Sequence, residues 1–350
     1  MSEVISPGAG RNYAFDYLRI IASFAIVLLH SSAEVFVIRH DAVSLFYDSA
    51  CRFGVPIFVM ISGYLHLSRP LAPGKLYRHI FRLIMVYFSW SLFYGAVTVY
   101  SRHAAGEMFS VQGAAVLLFK EFVCGYYHLW FLPMLAGIYF LVPVLEKIVC
   151  DRRAAITAVA LFIICSIILP TLIEFIPDQR FIRKKLLSFE WTNYWAYAGY
   201  FVIGYLLWQN GRKYNKMLAW LLGVGVIFTF AVSWIYTKRS GLAFDGLFSP
   251  FRLGSLCMAV GVYALGGLFM TRAPRSSAVG AWLIELSAAS LGVYILHPFF
   301  ILLSKICGWG IPFMEYFPLV TIPFFAIIVY AVSLGIVLLL RLTKLGKLIL

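Results

Sequence analysis

The chain has 350 residues, of which 62% are apolar or aromatic and only 13% charged, against roughly 45–50% and 25% in an average soluble protein. A soluble domain cannot cover that much apolar surface, so soluble enzymes, disordered tails, coiled coils and secreted disulfide scaffolds are excluded, and a membrane protein remains. Composition leaves one oddity, a net charge of +14 from 29 Lys and Arg against 15 Asp and Glu.

Apolar runs long enough to span a bilayer, about 20 residues each, lie at about 14–38, 43–67, 83–101, 128–146, 154–174, 193–209, 217–237, 253–270, 280–304 and 313–340. Backbone in lipid must satisfy its own hydrogen bonds, so these runs read as helices. The short alternating strands of a barrel are absent, and no internal repeat points to an inverted-repeat transporter fold. The first run is too long for a signal-peptide core and lacks a small-residue cleavage site, so it reads as an uncleaved first helix. The expectation is an all-α polytopic protein of about ten transmembrane helices, with no additional soluble domain.

With a cytoplasmic N-terminus and all ten spans real, 16 basic residues fall on inner segments, 10 on outer ones, and Arg19, Arg52 and Arg252 within spans. That bias predicts cytoplasmic N- and C-termini. Much of the outer count comes from one loop, Arg180 to Lys185. Nucleic acid is not needed to explain the charge. The six cysteines have no paired spacing and read as small packing residues.

Ionisable groups inside spans are costly, so each is a functional candidate. In the first helix, Arg19 and His30 are 11 residues apart. At 3.6 residues and 5.4 Å per turn, both side chains share one face and stand roughly 16 Å apart along the axis. Asp16 lies one turn before Arg19 and Glu34 one turn after His30, so an Asp16–Arg19 pair and a His30–Glu34 pair are geometrically possible. On the chemical reading His30 is a general base, oriented by Glu34, and Arg19 holds an anion at the inner side. On the plain reading, Asp16 and Arg19 form an interfacial ion pair and His30 hydrogen-bonds a neighbouring helix.

Arg19, ten intervening residues and His30, preceded by "FDYLR", resemble the Arg-x10-His signature of the acyltransferase-3 family of integral-membrane acyltransferases. The resemblance continues through "FGVPIFVMISGYL" (53–65, with Ser62, Gly63 and Tyr64), "YRHIFRL" (77–83), "HLWFLPMLAGIYFLVPVL" (128–145) and "SLGVYILHPFF" (290–300). One departure is that Arg82 is followed by "LIMVYF" where members often carry a proline. The resemblance implies one transmembrane acyltransferase domain over 1–350, with 1–13 a short cytoplasmic tail. It also implies transfer of an acyl group, commonly acetyl, from cytoplasmic acyl-CoA (acetyl-CoA) to a hydroxyl of an extracytoplasmic glycan or lipid-linked saccharide, in a bacterial cytoplasmic (inner) membrane.

Under that reading His30, Glu34 and Arg19 are the catalytic candidates, and Arg19, Arg78, Arg82 and Lys75 the donor-binding ones. Arg78 and Arg82 lie one turn apart and suit phosphates; the positive-inside rule explains them without a ligand. Arg52, in the outer third of the second helix, and Arg252, at the outer start of the eighth, either meet His30 in a shared cavity or snorkel to headgroups. His128 opens the fourth helix from outside, where it contacts the acceptor or belongs to an aromatic interfacial belt. His297, before Pro298, is an acceptor-site candidate or a structural group. The loop "PDQRFIRKKLLSFEW" either attracts anionic lipid or a pyrophosphate-linked carrier, or is a surface amphipathic segment. No histidine has a partner at metal-ligand spacing. The rival function is a polysaccharide or lipid exporter without acyl transfer.

Overall fold

The computed structural model describes residues 11–69, 72–104, 106–108, 110–175, 196–209, 214–269 and 276–349. The basic loop at 177–191 and the basic residues Arg212, Lys213, Arg272 and Arg275 lie outside the described residues. Among those described every regular element is a helix. Eight helices are long and apolar enough to cross a membrane. Two of the ten expected spans are shorter in the described residues: Tyr197–Gln209 has 13 residues and Leu253–Phe269 has 17.

The first helix, α1 (Tyr13–Arg39), is continuous through both signature residues and starts at Asn12, whose side chain accepts from the Ala14 N–H at 3.2 Å. The second expected span is broken. Helices α2 (Ala42–Ala50) and α3 (Gly54–Leu67) are joined by a turn at residues 51–53, and Arg52 stands in that break, not within a helix. Helix α4 (Pro73–Ala104) is followed by α5 (Val111–Cys124), which no expected span covers. Then come α6 (Phe131–Cys150), α7 (Arg152–Ile173), α8 (Tyr197–Gln209), α9 (Asn215–Ser240) and α10 (Leu253–Phe269). The chain closes with α11 (Ser277–Ile306), α12 (Gly310–Tyr316), α13 (Pro318–Arg341) and α14 (Lys344–Ile349). Within α7 the turns at Ile163–Ile168 widen to a π-helix just before Pro170, which has no N–H to give and crowds the carbonyl four residues back.

Two packing features position the site. Helices α3 and α8 touch at backbone distance: a Cβ on Gly63 would lie 1.9 Å from the Phe201 carbonyl oxygen, and one on Gly204 would lie 2.1 Å from that of Met60. Small residues permit this approach where no hydrophobic effect drives helices together. Helix α5 folds back along α4. Gly95 faces Leu118 and Glu121, the Phe88 and Phe122 rings stack at 4.9 Å, and the Tyr87 hydroxyl donates to the Val123 carbonyl at 2.8 Å. The chain then turns at Gly125 (φ 73°) against Tyr87 and enters α6 from that depth. Helices α1 and α13 are antiparallel. Arg39 donates to the Glu315 carbonyl at 2.6 Å near one end, and Ser23 meets the Tyr330 hydroxyl at 3.1 Å further along. Arg11 and Arg341 therefore lie at the same end of the bundle.

Candidate functional site

At the end of the bundle that holds Arg11, the expected Asp16–Arg19 pair is absent because Asp16 is already taken. Arg11 donates to both Asp16 oxygens, at 2.9 and 2.8 Å, which raises the Arg11 pKa. Arg19 makes no hydrogen bond or ion pair among the described residues. It lines two adjoining cavities instead, of about 490 and 340 Å³. The smaller is bordered by Arg11, Asp16, Tyr64, Ser68 and Arg69.

The larger cavity collects Arg19, Arg82, His66 and His79 toward that same end. Its walls are mainly apolar, with Ile26, Val55, Phe58, Leu83, Leu135 and Leu291, interrupted by Ser62, Tyr139, Ser287 and Ser290. Phe131 and Tyr294 border it as well. Of the four expected donor-binding groups, Arg19 and Arg82 line it. Arg78 and Lys75 are exposed and do not; Arg78 Nε donates to the Gly74 carbonyl at 3.1 Å.

His66 and His79 are the groups sequence reasoning missed. His66 is an ionisable residue inside an apolar run, the same signal that singles out His30, and it lies one helical turn after Ser62. Its ring packs on Tyr139 with centroids 4.3 Å apart, and His79 approaches it edge-on at 6.1 Å. His66 Nδ1 lies 2.8 Å from the Ser62 carbonyl oxygen. A carbonyl can only accept, so Nδ1 carries the proton.

Beyond Tyr294 lies a cluster of three histidines. The Tyr294 hydroxyl donates to the His128 carbonyl, and the Tyr294 ring is 6.0 Å from His297. The His297 ring is 5.2 Å from His30 and 6.0 Å from His128, and Tyr127 meets His30 edge-on at 5.6 Å. His128 and His297 are fully buried, whereas His30 is half-buried and borders neither cavity. His128 was expected at the outer mouth of a helix. It sits instead in the turn before α6, because α5 carries the chain back into the bundle; non-helical backbone at such depth is tolerated where protein covers it. Buried Tyr94 stacks on Tyr126 at 4.6 Å and meets the His128 ring edge-on at 4.9 Å, whereas Tyr127 is exposed.

Backbone carbonyls orient the two buried rings. His128 Nε2 lies 3.0 Å from the Ile295 oxygen and His297 Nδ1 lies 3.2 Å from the Val293 oxygen. The opposite nitrogens, His128 Nδ1 and His297 Nε2, are buried with no partner among the described residues. In neutral rings these are bare lone pairs, which accept only. Among the described residues no group of three or more His, Cys, Asp or Glu is set to hold a metal ion.

Glu34 does not reach His30 by a hydrogen bond. It pairs with Lys305 Nζ at 2.5 Å. Arg52 stacks on Phe248 at 4.1 Å, pairs with the buried Asp48 and donates to the Phe248 carbonyl at 3.0 Å. Arg252 is bound to Glu174 and donates to the Gly246 carbonyl at 2.7 Å, so it pins the loop before α10 rather than joining the histidines. Glu285 pairs with Arg341 at 3.0 Å.

A family profile described as an acyltransferase domain matches residues 12–341, nearly the whole chain. No match was found among curated proteins or solved structures.

Proposed function

Because this chain belongs to the acyltransferase-3 family and is a membrane acyltransferase, we propose that it takes an acyl group, acetyl in the simplest case, from a cytoplasmic acyl-CoA. The acceptor is a hydroxyl of an extracytoplasmic glycan or lipid-linked saccharide, and the protein resides in a bacterial cytoplasmic membrane. The observation that carries this reading is the larger cavity. It has two arginines toward the end that holds Arg11 and apolar walls, and it is bordered by Tyr294, which touches the histidine cluster. An acyl-CoA has matching parts: phosphates for Arg19 and Arg82, an arm for the cavity, and a thioester for the far end.

In the reaction, His30 removes the proton from the acceptor hydroxyl. The oxygen attacks the thioester carbonyl, a C–O bond forms, the C–S bond breaks, and the leaving thiolate takes the proton back from His30. His30 suits this role because it is not fully enclosed and its nitrogens make no hydrogen bond among the described residues. His128 Nδ1 and His297 Nε2 accept hydrogen bonds from the acceptor or from His30. Arg52 borders the acceptor's approach.

The test is His30→Ala, purified as a monodisperse, correctly inserted protein. It loses transfer from labelled acetyl-CoA, and mass analysis finds the ester missing from envelope glycans of cells that carry it. Undiminished transfer by such a protein overturns the mechanism.

A further inference from the structure

Two residues that line the larger cavity each carry a buried polar atom that the acyl-transfer chemistry leaves unused. His66 is 92% buried, and its Nε2 has no partner among the described residues; Ser287 is 97% buried, and its Oγ has none either. Both residues line the cavity, one from α3 and one from α11. Their hydrogen-bonding characters are complementary. With Nδ1 donating to the Ser62 carbonyl, the neutral His66 ring presents Nε2 as an acceptor only. The Ser287 hydroxyl can donate.

We infer that His66 Nε2 and Ser287 Oγ hold the amide groups of a donor's pantetheine arm, His66 accepting from an amide N–H and Ser287 donating to an amide carbonyl. This rests on the acyl-CoA reading above and specifies which part of the donor the cavity recognises. A secondary amide entering an apolar passage gives up its water on both sides and needs one acceptor and one donor in return. Arginines can serve the phosphates but cannot accept from an N–H. The apolar wall residues can do neither.

The probes are acetyl-CoA and adenosine 3′,5′-bisphosphate, which carries phosphates but no amide arm, with the full-length protein in detergent. His66→Phe keeps a ring against Tyr139 and removes only the nitrogens. It weakens acetyl-CoA binding roughly tenfold, as expected for one neutral hydrogen bond, and leaves bisphosphate binding unchanged. Ser287→Ala does the same, and His66→Gln, which restores an acceptor oxygen, recovers part of the loss. Unchanged acetyl-CoA affinity in both His66→Phe and Ser287→Ala, or equal losses for the two probes in both, overturns the inference while leaving the acyl-CoA reading intact. If His66→Phe alone loses bisphosphate binding, it has misfolded and Ser287→Ala decides. A wild-type protein that binds no acetyl-CoA overturns the acyl-CoA reading and the inference with it.

Discussion

Two acidic residues distinguish what a single helix can reveal from what only the folded chain decides. Helical period alone puts Arg19 and His30 on one face of α1, and α1 is continuous through both, so that relation is readable from spacing. The same spacing offered Asp16 to Arg19 and Glu34 to His30. Arg11 and Lys305 hold those carboxylates instead, and no periodicity could name partners that come from a preceding coil and from another helix. Glu34 and Lys305 are each about one-third exposed, so their pair contributes at most about 1 kcal/mol. Glu34→Gln is therefore expected to keep acyl-transfer kcat within about twofold of wild type, as measured on purified protein; a loss of a hundredfold or more would return Glu34 to the role of orienting His30. Arg52 behaves in the opposite way. Its partner Asp48 is 1% exposed, so Arg52→Ala strands a buried carboxylate, at a cost of about 3–5 kcal/mol. The double variant Arg52→Gln/Asp48→Asn removes both charges and should unfold later than Arg52→Ala in a thermal melt. Equal melting of the two would show that Asp48 does not depend on Arg52.

At the scale of elements, long apolar runs were readable because lipid permits few alternatives to a helix. Three features were not. The break at 51–53 lies inside an apolar run that, taken as a whole, still passes for one span. Helix α5 is too short to span and carries Lys120 and Glu121, so it resembles a loop until α4 is there to pack against. Gly63 could be noted as part of a Ser-Gly-aromatic step, but its cause is the Phe201 backbone of a distant helix. That contact makes a sharp prediction. Gly63→Ala has no room against a carbonyl oxygen and must separate α3 from α8, a destabilisation of more than about 2 kcal/mol. Because α3 also carries Ser62 and His66 into the larger cavity, acetyl-CoA binding should fall together with stability. Gly137, on α6, is the control, since a Cβ there meets nothing within 4 Å. Gly137→Ala should leave melting and binding unchanged, and equal damage from both substitutions would refute a specific role for the α3–α8 contact.

At the scale of the whole molecule, a transferase with donor and acceptor on opposite sides needs one orientation in the membrane. The bundle fixes relative ends, and charge supplies the sign. Helix α1 starts beside Arg11 and ends beside Glu315. Helix α11 ends near the α1 C-terminal end, where Lys305 meets Glu34, so exposed Cys307 lies there. Helix α6 begins at the depth of His128 and runs 20 residues, about 30 Å, away from it. It passes Leu135 and Tyr139 on the wall of the Arg19 cavity, so exposed Cys150 lies at the α1 N-terminal end. On the proposed orientation that end is the cytoplasmic one, where the sequence reading expects the excess of Lys and Arg. A membrane-impermeant maleimide should therefore label Cys307 in intact cells and Cys150 only after permeabilisation, each scored in a variant with the other five cysteines replaced by serine or alanine. The reverse pattern would put Arg19, Arg82 and the larger cavity on the outside, away from any cytoplasmic acyl-CoA. The fold would stand, but the donor would have to be a different molecule.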